Sequence, residues 1–398
     1  MFESHFHWGF GIEDTFIGDP HPKTGKVLDE YALTEHYRLW RTDFDQICTL
    51  GPDSVRWGIP WYRIQPEKGK WDWSFPDEVI PYIVEEKKLD LVLDLMHYGV
   101  PVWMKDAYLD PDYPEYVEEY TGRVVERYGR YLHFATPFNE PHTANEFCGN
   151  RGEWPPYLSG LSGYFKVLKG VVKGTQRQTR LLQDKGIVCV QVECSGGSVT
   201  ADPSLEAQAR LERVQQEMFF NCLTGDYAGI EDLFPVFAQH GLGEKDLQTF
   251  EDGKCSIDVM GINFYPQFSY QEISRDRNGE ISRKNHLFWT EKLEKKIRER
   301  HARFRCPMMI TETSVRDDQK MKMSWLNEAS RKVFSLYREG VPVYGFFWFP
   351  IIDMYDWEYR IHEGPKDAFK ACFGMFDQDR KPNACAQQYR AIIEEVGR

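Results

Sequence analysis

The chain has 398 residues, of which 41% are hydrophobic and 15% aromatic, a composition that excludes a disordered protein and provides for a large core. Its 62 acidic residues outnumber its 49 basic ones, and the net charge of −13 would repel nucleic acid and anionic membranes. The sequence contains neither the ~18–20 apolar residues of a membrane span nor a secretory signal. We therefore expect no nucleic acid or membrane partner, and a cytoplasmic location.

The nine cysteines are scattered, their number is odd, and no Cys-x-x-Cys pair occurs. This distribution argues against a disulfide framework or a zinc site. No second histidine lies at metal-ligand spacing from His97. The sequence therefore predicts no metal and no cofactor.

Short apolar runs alternate with segments of helical periodicity, a pattern typical of βα units on a parallel sheet. Strands are predicted over residues 5–11, 54–59, 89–97, 131–140, 186–193, 257–265, 307–312 and 343–349. Helices are predicted over residues 34–50, 76–88, 113–128, 163–185, 205–223, 290–302, 320–339 and 382–396. Eight of each fit an α/β fold of the (β/α)₈ TIM-barrel type, with an open doubly wound sheet as the alternative.

No linker, low-complexity tract or internal repeat divides the chain, which predicts one domain over residues 1–398. Four stretches have the character of inserted loops: residues 18–27, 145–162, 271–287 and 355–370. Each follows the end of a predicted strand. In a barrel this is the face where the loops build an active site.

Polar and aromatic residues close five of the predicted strands: His97 on the third, Asn139 and Glu140 on the fourth, Asn263 and Tyr265 on the sixth, Glu312 on the seventh, and Trp348 on the eighth. A carboxylate that follows a buried apolar strand is costly unless it lines a cleft. Taken singly, Glu140 or Glu312 could be a salt-bridged acid. Together, on strands four and seven, they would face each other across the barrel mouth. Opposed carboxylates are the groups that hydrolyse glycosidic bonds.

The same residues lie in segments that resemble glycoside hydrolase family 1, the retaining β-glucosidases. Residues 138–141 resemble its Asn-Glu-Pro acid/base motif, and residues 310–312 resemble its Ile-Thr-Glu-Asn-Gly nucleophile motif. Trp348, followed by residues 353–357, resembles Trp-Ser-Leu-x-Asp-Asn-Phe-Glu-Trp with one residue inserted. Further segments match in the same chain order: residues 56–64, 97–101, 261–265, 373–374 and 380–382.

The resemblance implies a catalytic role for each of several residues. Glu312 would attack the anomeric carbon, and Glu140 would act as acid and then as base. Arg56 would hold Glu312 ionised, Tyr265 would donate a hydrogen bond to Glu312, and Asn263 would support the pair.

Other residues are implied to bind the sugar. Asn139 would bind the 2-hydroxyl, and His97 would be a neutral hydrogen-bond donor. Trp348 would form the platform under the ring, with Trp357 at its edge and Asp356 reaching the far hydroxyls.

The chain also departs from the family pattern. The strand-one Gln has no counterpart, and Glu13 and Asp14 are the nearest polar candidates. Tyr98 replaces a Trp, Thr313-Ser314 replaces Asn-Gly, and Asp356 replaces a Glu. The resemblance implies an exo-acting, retaining β-glycosidase acting on a small-molecule glycoside. The alternatives are a retaining endo-glycosidase of another family on the same barrel and a non-catalytic sugar-binding relative. The sequence does not indicate an oligomeric state.

Overall fold

The computed structural model describes residues 5–287 and 289–396. Eight parallel strands form a closed barrel in chain order: β1 (His7–Gly11), β2 (Ser54–Gly58), β3 (Asp90–Asp94), β4 (Phe134–Thr136), β5 (Val188–Cys194), β6 (Val259–Asn263), β7 (Met308–Thr313) and β8 (Val343–Trp348). Strand β1 pairs with both β2 and β8, which closes the ring. The predicted (β/α)₈ barrel is confirmed, and the open sheet is excluded.

One principal helix follows each strand: α1 (His36–Cys48), α2 (Ser74–Pro81), α3 (Tyr113–Tyr128), α4 (Gly160–Asp184), α5 (Glu206–Thr224), α6 (Thr290–Phe304), α7 (Gln319–Arg338) and α8 (Ala384–Val396). Each overlaps a predicted helix. Shorter helical segments are Glu30–Leu33, Trp61–Ile64, Tyr82–Glu86, Ala107–Leu109, Gly129–Tyr131, Pro141–Ala144, Asn145–Asn150, Pro203–Leu205, Glu231–Leu233, Phe234–Gln239, Glu244–Asp252, Glu358–Ile361 and Lys366–Phe369. Among the described residues, no helix combines the length and the apolar character needed to cross a bilayer.

Side chains alternate between the inside and the outside of the barrel. A small apolar cluster, to which β8 contributes Phe347, fills the interior, whereas Phe346 and Trp348 belong to the larger cluster between strands and helices. Glycines on β1 make room for the inward rings. A Cβ at Gly9 would lie 2.4 Å from the Phe347 ring, closer than real side chains approach. Which residues of β8 point into the barrel and which point out therefore decides which aromatic residue can face the barrel mouth.

Strands β3 and β4 end earlier than predicted. Strand β4 stops at Thr136, and the chain then turns out of the sheet at Glu140, whose backbone is left-handed (φ 43°, ψ 66°). Such a conformation is uncommon outside glycine and concentrates at functional sites. The candidate catalytic residue thus stands on a turn that lifts it above the strand.

Loops at the carboxyl end of the barrel form a rim. The hairpin Tyr270–Arg275 and Ile281–Asn285 joins Gly197–Val199 in a three-stranded sheet. Two smaller pairs are Phe16–Ile17 with Leu28–Asp29, and Met354–Tyr355 with Lys370–Ala371. The buried Arg360 guanidinium donates to the carbonyls of Asp19 and Glu153 and to the Tyr157 hydroxyl, at 2.8–2.9 Å. This single side chain holds three of the predicted insertions together.

Candidate active site

A cavity of about 1040 Å³ opens at the carboxyl ends of the strands. The predicted site residues that line it are Glu13, His97, Glu140, Asn263, Tyr265, Glu312, Asp356 and Trp357. Arg56 and Asn139 lie behind this lining and contact it through hydrogen bonds. The barrel therefore gathers all but one of the predicted residues, Trp348, at one place.

Glu312 is held at both carboxylate oxygens. Arg56 Nη1 donates to Oε1 in a buried ion pair, and the Tyr265 hydroxyl donates to Oε2 at 2.7 Å. Burial raises the pKa of Glu312 to about 8; Arg56 opposes the shift, and the nearby Glu140 adds to it. The expected ion pair with Arg56 is present, but desolvation outweighs its effect on the pKa.

Glu140 is held by different partners. Asn263 Nδ2 donates to Oε1 at 2.8 Å, and the hydroxyls of Tyr98 and Thr143 donate to Oε2 at 2.6 and 2.9 Å. Its carboxyl group is almost fully buried but faces the same cavity as Glu312. No cation contacts it within the described part of the chain. The two acids thus occupy unlike surroundings, which is how one fold gives two carboxyl groups different roles.

Asn139 connects the two acids from below. Its Oδ1 accepts from Arg56 at 2.6 Å and from Asn263 at 3.2 Å, while its Nδ2 faces His97 Nε2 and the Tyr98 hydroxyl at 3.0 Å. Because Arg56 fixes the orientation of the amide, His97 accepts a hydrogen bond at Nε2 and carries its proton on Nδ1.

His97 has two acidic neighbours that the sequence analysis did not place beside it. Its Nδ1 lies 2.7 Å from Asp14 and 3.2 Å from Asp94. Burial lowers the pKa of His97, but these two carboxylates raise it well above the usual range. The amide facing Nε2 works in the opposite direction and favours the neutral ring. The ring is neutral, since the 2.6 Å contact with Arg56 fixes Asn139 Oδ1 on that side and turns its Nδ2 toward His97 Nε2.

Trp348 does not reach the cavity. It points outward from β8, is fully buried, and donates its indole N–H to the Phe373 carbonyl. Phe349 faces the site residues instead: its ring is parallel to that of His97, with the centroids 6.1 Å apart, and the Arg56 guanidinium lies 5.6 Å from its centroid. Aligned on Phe349, residues 349–357 match the nine-residue family motif without any insertion. The structure therefore places Phe349, and not Trp348, at the first position of the motif, and no inserted residue is needed.

Asp356, which was expected to reach the far hydroxyls of the sugar, already has a partner at the far end of the cavity. Its carboxylate forms an ion pair with Arg316, which also lines the cavity. Trp357 packs edge-on to Tyr98, and its buried indole nitrogen has no hydrogen-bond partner among the described residues. Glu13 is buried at the same cavity, and burial raises its pKa. These three residues present polar atoms to the cavity.

Glu193, at the end of β5, is a further residue that the sequence analysis missed. It is fully buried and accepts from the backbone N–H groups of His142 and Cys194 at 2.9 Å. Burial raises its pKa well above the ordinary value, and Glu140 adds to the shift. Glu193 braces the turn after Glu140. The sequence contains the signal, since Glu193 closes a buried apolar strand as Glu140 and Glu312 do.

Two groups in the described part of the chain have ligand atoms within 4.8 Å of one another, as a metal site requires. One consists of Asp14, Asp94 and His97. Arg56 contacts Asp94 there, so a bound metal would meet a guanidinium. The other consists of His5, His7 and Asp90 near the opposite end of the barrel. Neither group includes Glu140 or Glu312.

A barrel with two buried glutamates facing one cavity at the ends of β4 and β7 is the architecture of a glycoside hydrolase, and the comparisons agree. The family model described as glycosyl hydrolase family 1 matches residues 8–308, more than half of the chain. The chain belongs to glycosyl hydrolase family 1. The matched region includes Glu140 and stops just before Glu312.

Individual relatives are distant but extend along most of the chain. A 1,4-beta-D-glucan glucohydrolase from Thermotoga neapolitana is 23% identical over 391 aligned positions, covering 88% of each protein. Beta-glucosidase A from Thermotoga maritima is 22% identical, covering 88% of this chain and 84% of the relative. The solved family 1 β-glucosidase of Thermotoga maritima superposes with a TM-score of 0.84 at 19% identity, covering 99% of both chains.

Proposed function

We propose that this protein is a retaining, exo-acting β-glycosidase of the β-glucosidase type. The observation that carries the proposal is that two carboxyl groups face one cavity but have different hydrogen-bond and ion-pair partners. Glu312 is held by Arg56 and Tyr265, which orient a carboxylate for attack, whereas the contacts of Glu140 are all with neutral groups, so that no adjacent cation opposes its protonation. The names of the relatives support a β-glucoside as substrate. We also propose that residues 1–398 act as one catalytic unit.

The reaction proceeds by double displacement. In the first step a Glu312 oxygen forms a bond to the anomeric carbon, the bond to the aglycone oxygen breaks, and Glu140 gives that oxygen its proton. In the second step Glu140 takes a proton from water, the water oxygen attacks the anomeric carbon, and Glu312 leaves. The sugar is released with its original β configuration, and both acids return to their starting states.

The surrounding residues assist these steps through the hydrogen bonds already described. Arg56 and Tyr265 hold the Glu312 carboxylate still, so that little reorganisation accompanies attack. Asn139 lies directly behind the cavity lining, and we propose that its amide reaches the 2-hydroxyl of a bound sugar, a contact that strengthens in an oxocarbenium-like transition state. We propose that Phe349, in place of Trp348, supports the sugar ring, and that Glu13, Asp356 and Trp357 bind its remaining hydroxyls.

The proposal is tested by incubating the protein with aryl β-glycosides (glucoside, galactoside, fucoside, mannoside, xyloside and glucuronide) and observing the first-formed sugar by proton NMR. We expect hydrolysis of at least the β-glucoside, with the β anomer appearing first. Initial release of the α anomer would contradict retention. Binding of sugars without turnover of any glycoside would favour the non-catalytic alternative, and cleavage confined to internal bonds of a polysaccharide would favour an endo-glycosidase.

The pH dependence of kcat/KM follows from the raised pKa of Glu312. Glu312 must be ionised to attack, so we expect kcat/KM to rise with pH on an acid limb well above 4.5, toward 8. The Tyr265 hydroxyl lowers this pKa by its hydrogen bond, so Tyr265→Phe is expected to move the limb to higher pH. Losing a hydrogen bond to a charged group should also lower kcat about 10- to 100-fold. Tyr337→Phe, on α7 away from the cavity, serves as the control.

A further inference from the structure

We propose that Asp94 is a positioning residue for the nucleophile, because it shares the Arg56 guanidinium with Glu312 and thereby limits the positive charge available to that carboxylate. The inference rests on the proposed function, in which Glu312 attacks the sugar. It concerns a residue that lies outside the two glutamate motifs.

Arg56 lies between two carboxylates. Its Nη1 donates to Glu312 and its Nη2 donates to Asp94, and all three side chains are buried, with exposed fractions of 5% or less. Because burial weakens screening by solvent, each carboxylate interacts with the other as well as with the guanidinium. One guanidinium therefore neutralises two carboxylates, and it stabilises the ionised form of Glu312 less than it would if Glu312 were its only acidic partner.

Asp94 is itself held in place from the side away from Glu312. His97 Nδ1 lies 3.2 Å from Asp94 Oδ2 and 2.7 Å from Asp14 Oδ1, so the imidazole joins an acid of the loop after β1 to an acid at the end of β3. The order of contacts is Asp14, His97, Asp94, Arg56 and Glu312. Movement of Asp94 would release Arg56, which in turn fixes both Glu312 and Asn139.

Other charged or titratable groups face the same two carboxylates. Glu312 is faced by Arg56 on β2, by His97 and Tyr98 after β3, by Glu140 after β4 and by Tyr265 after β6. Asp94 is faced by Arg56, Asp14 and His97. Of these neighbours, only Arg56 touches both carboxylates directly. Replacing Asp94 by a neutral residue should therefore act on Glu312 through the guanidinium.

The test is Asp94→Asn, which keeps the side-chain size and removes the negative charge. Carbon-13 NMR of protein labelled at the glutamate carboxyl carbons would give the titration midpoint of Glu312, assigned by its loss in Glu312→Gln. We expect the midpoint to fall by about one pH unit, since removing a nearby like charge favours ionisation. The acid limb of kcat/KM on an aryl β-glucoside should move down by the same amount. A half-buried acid just before the start of β6 provides the control, Asp258→Asn, which should leave the midpoint unchanged.

An unchanged Glu312 midpoint in a folded Asp94→Asn protein would overturn the inference, as would a rise. If Asp94→Asn does not fold, Asp94→Ser, which also lacks the charge, is measured in the same way. The NMR titration does not depend on turnover. A wild-type protein that hydrolyses no glycoside would therefore refute the proposed function, while the midpoint would still decide whether Asp94 acts on Glu312.

Discussion

Glu312→Gln is expected to lower kcat for an aryl β-glucoside by roughly 10⁵-fold or more, the order of loss seen when a covalent nucleophile is removed. The amide keeps the size of the side chain, and Arg56 retains its contacts with Asp94 and Asn139. The loss should therefore reflect missing chemistry rather than a collapsed site. Initial rates measured with an activated glycoside give the comparison.

Two further measurements separate this result from unfolding. A carboxyl group whose pKa rises on folding contributes stability below its unfolded value and loses it as pH rises toward the folded value, here about 8. The uncharged Gln should therefore melt at pH 7 no lower than wild type. Added azide should restore turnover of Glu312→Ala and yield the α-glycosyl azide, because the anion attacks the face that Glu312 vacates. Activity that survives Glu312→Ala without azide would refute the assignment.

Glu140→Ala is expected to show an effect that depends on the leaving group. Loss of a general acid costs about 10²- to 10⁴-fold in kcat/KM when the aglycone is a poor leaving group. A dinitrophenyl glycoside needs no protonation, so its first step should be nearly unaffected and the covalent intermediate should accumulate. A burst of dinitrophenol, followed by slow turnover, is the measurement that checks this.

Azide distinguishes the two acids through stereochemistry. In Glu140→Ala the intermediate still forms on Glu312, so azide should release the β-glycosyl azide, the opposite anomer to that from Glu312→Ala. Glu126→Gln, an exposed acid on α3, is the control and should behave as wild type. The same azide anomer from both variants would show that the roles are assigned wrongly.

Several features could be predicted from the sequence because they depend on neighbours in the chain. Hydrophobic periodicity is local, and it predicted all eight barrel strands and their principal helices. The motifs around Glu140 and Glu312 are also local, and the barrel then places their carboxyl groups on one cavity. The exact ends of the strands could not be predicted in the same way. The turn at Glu140 is fixed by hydrogen bonds from the backbone N–H groups of Asn139 and Glu140 to the carbonyls of Met96, beyond the end of β3, and of Val192, in β5.

Other features were decided only by the tertiary structure. Trp348 and Phe349 are adjacent and both aromatic, and it is the pairing of β8 with β1, where Gly11 leaves space for the Phe349 ring, that turns Phe349 and not Trp348 toward the mouth. The sequence marks Asp14 only as a candidate replacement for the strand-one Gln and does not mark Asp94 at all, whereas barrel closure brings both acids to one histidine. Arg316 likewise meets Asp356 only in the folded chain. Sequence patterns thus determined which groups carry the chemistry, whereas contacts between distant segments determined which charges each group must share.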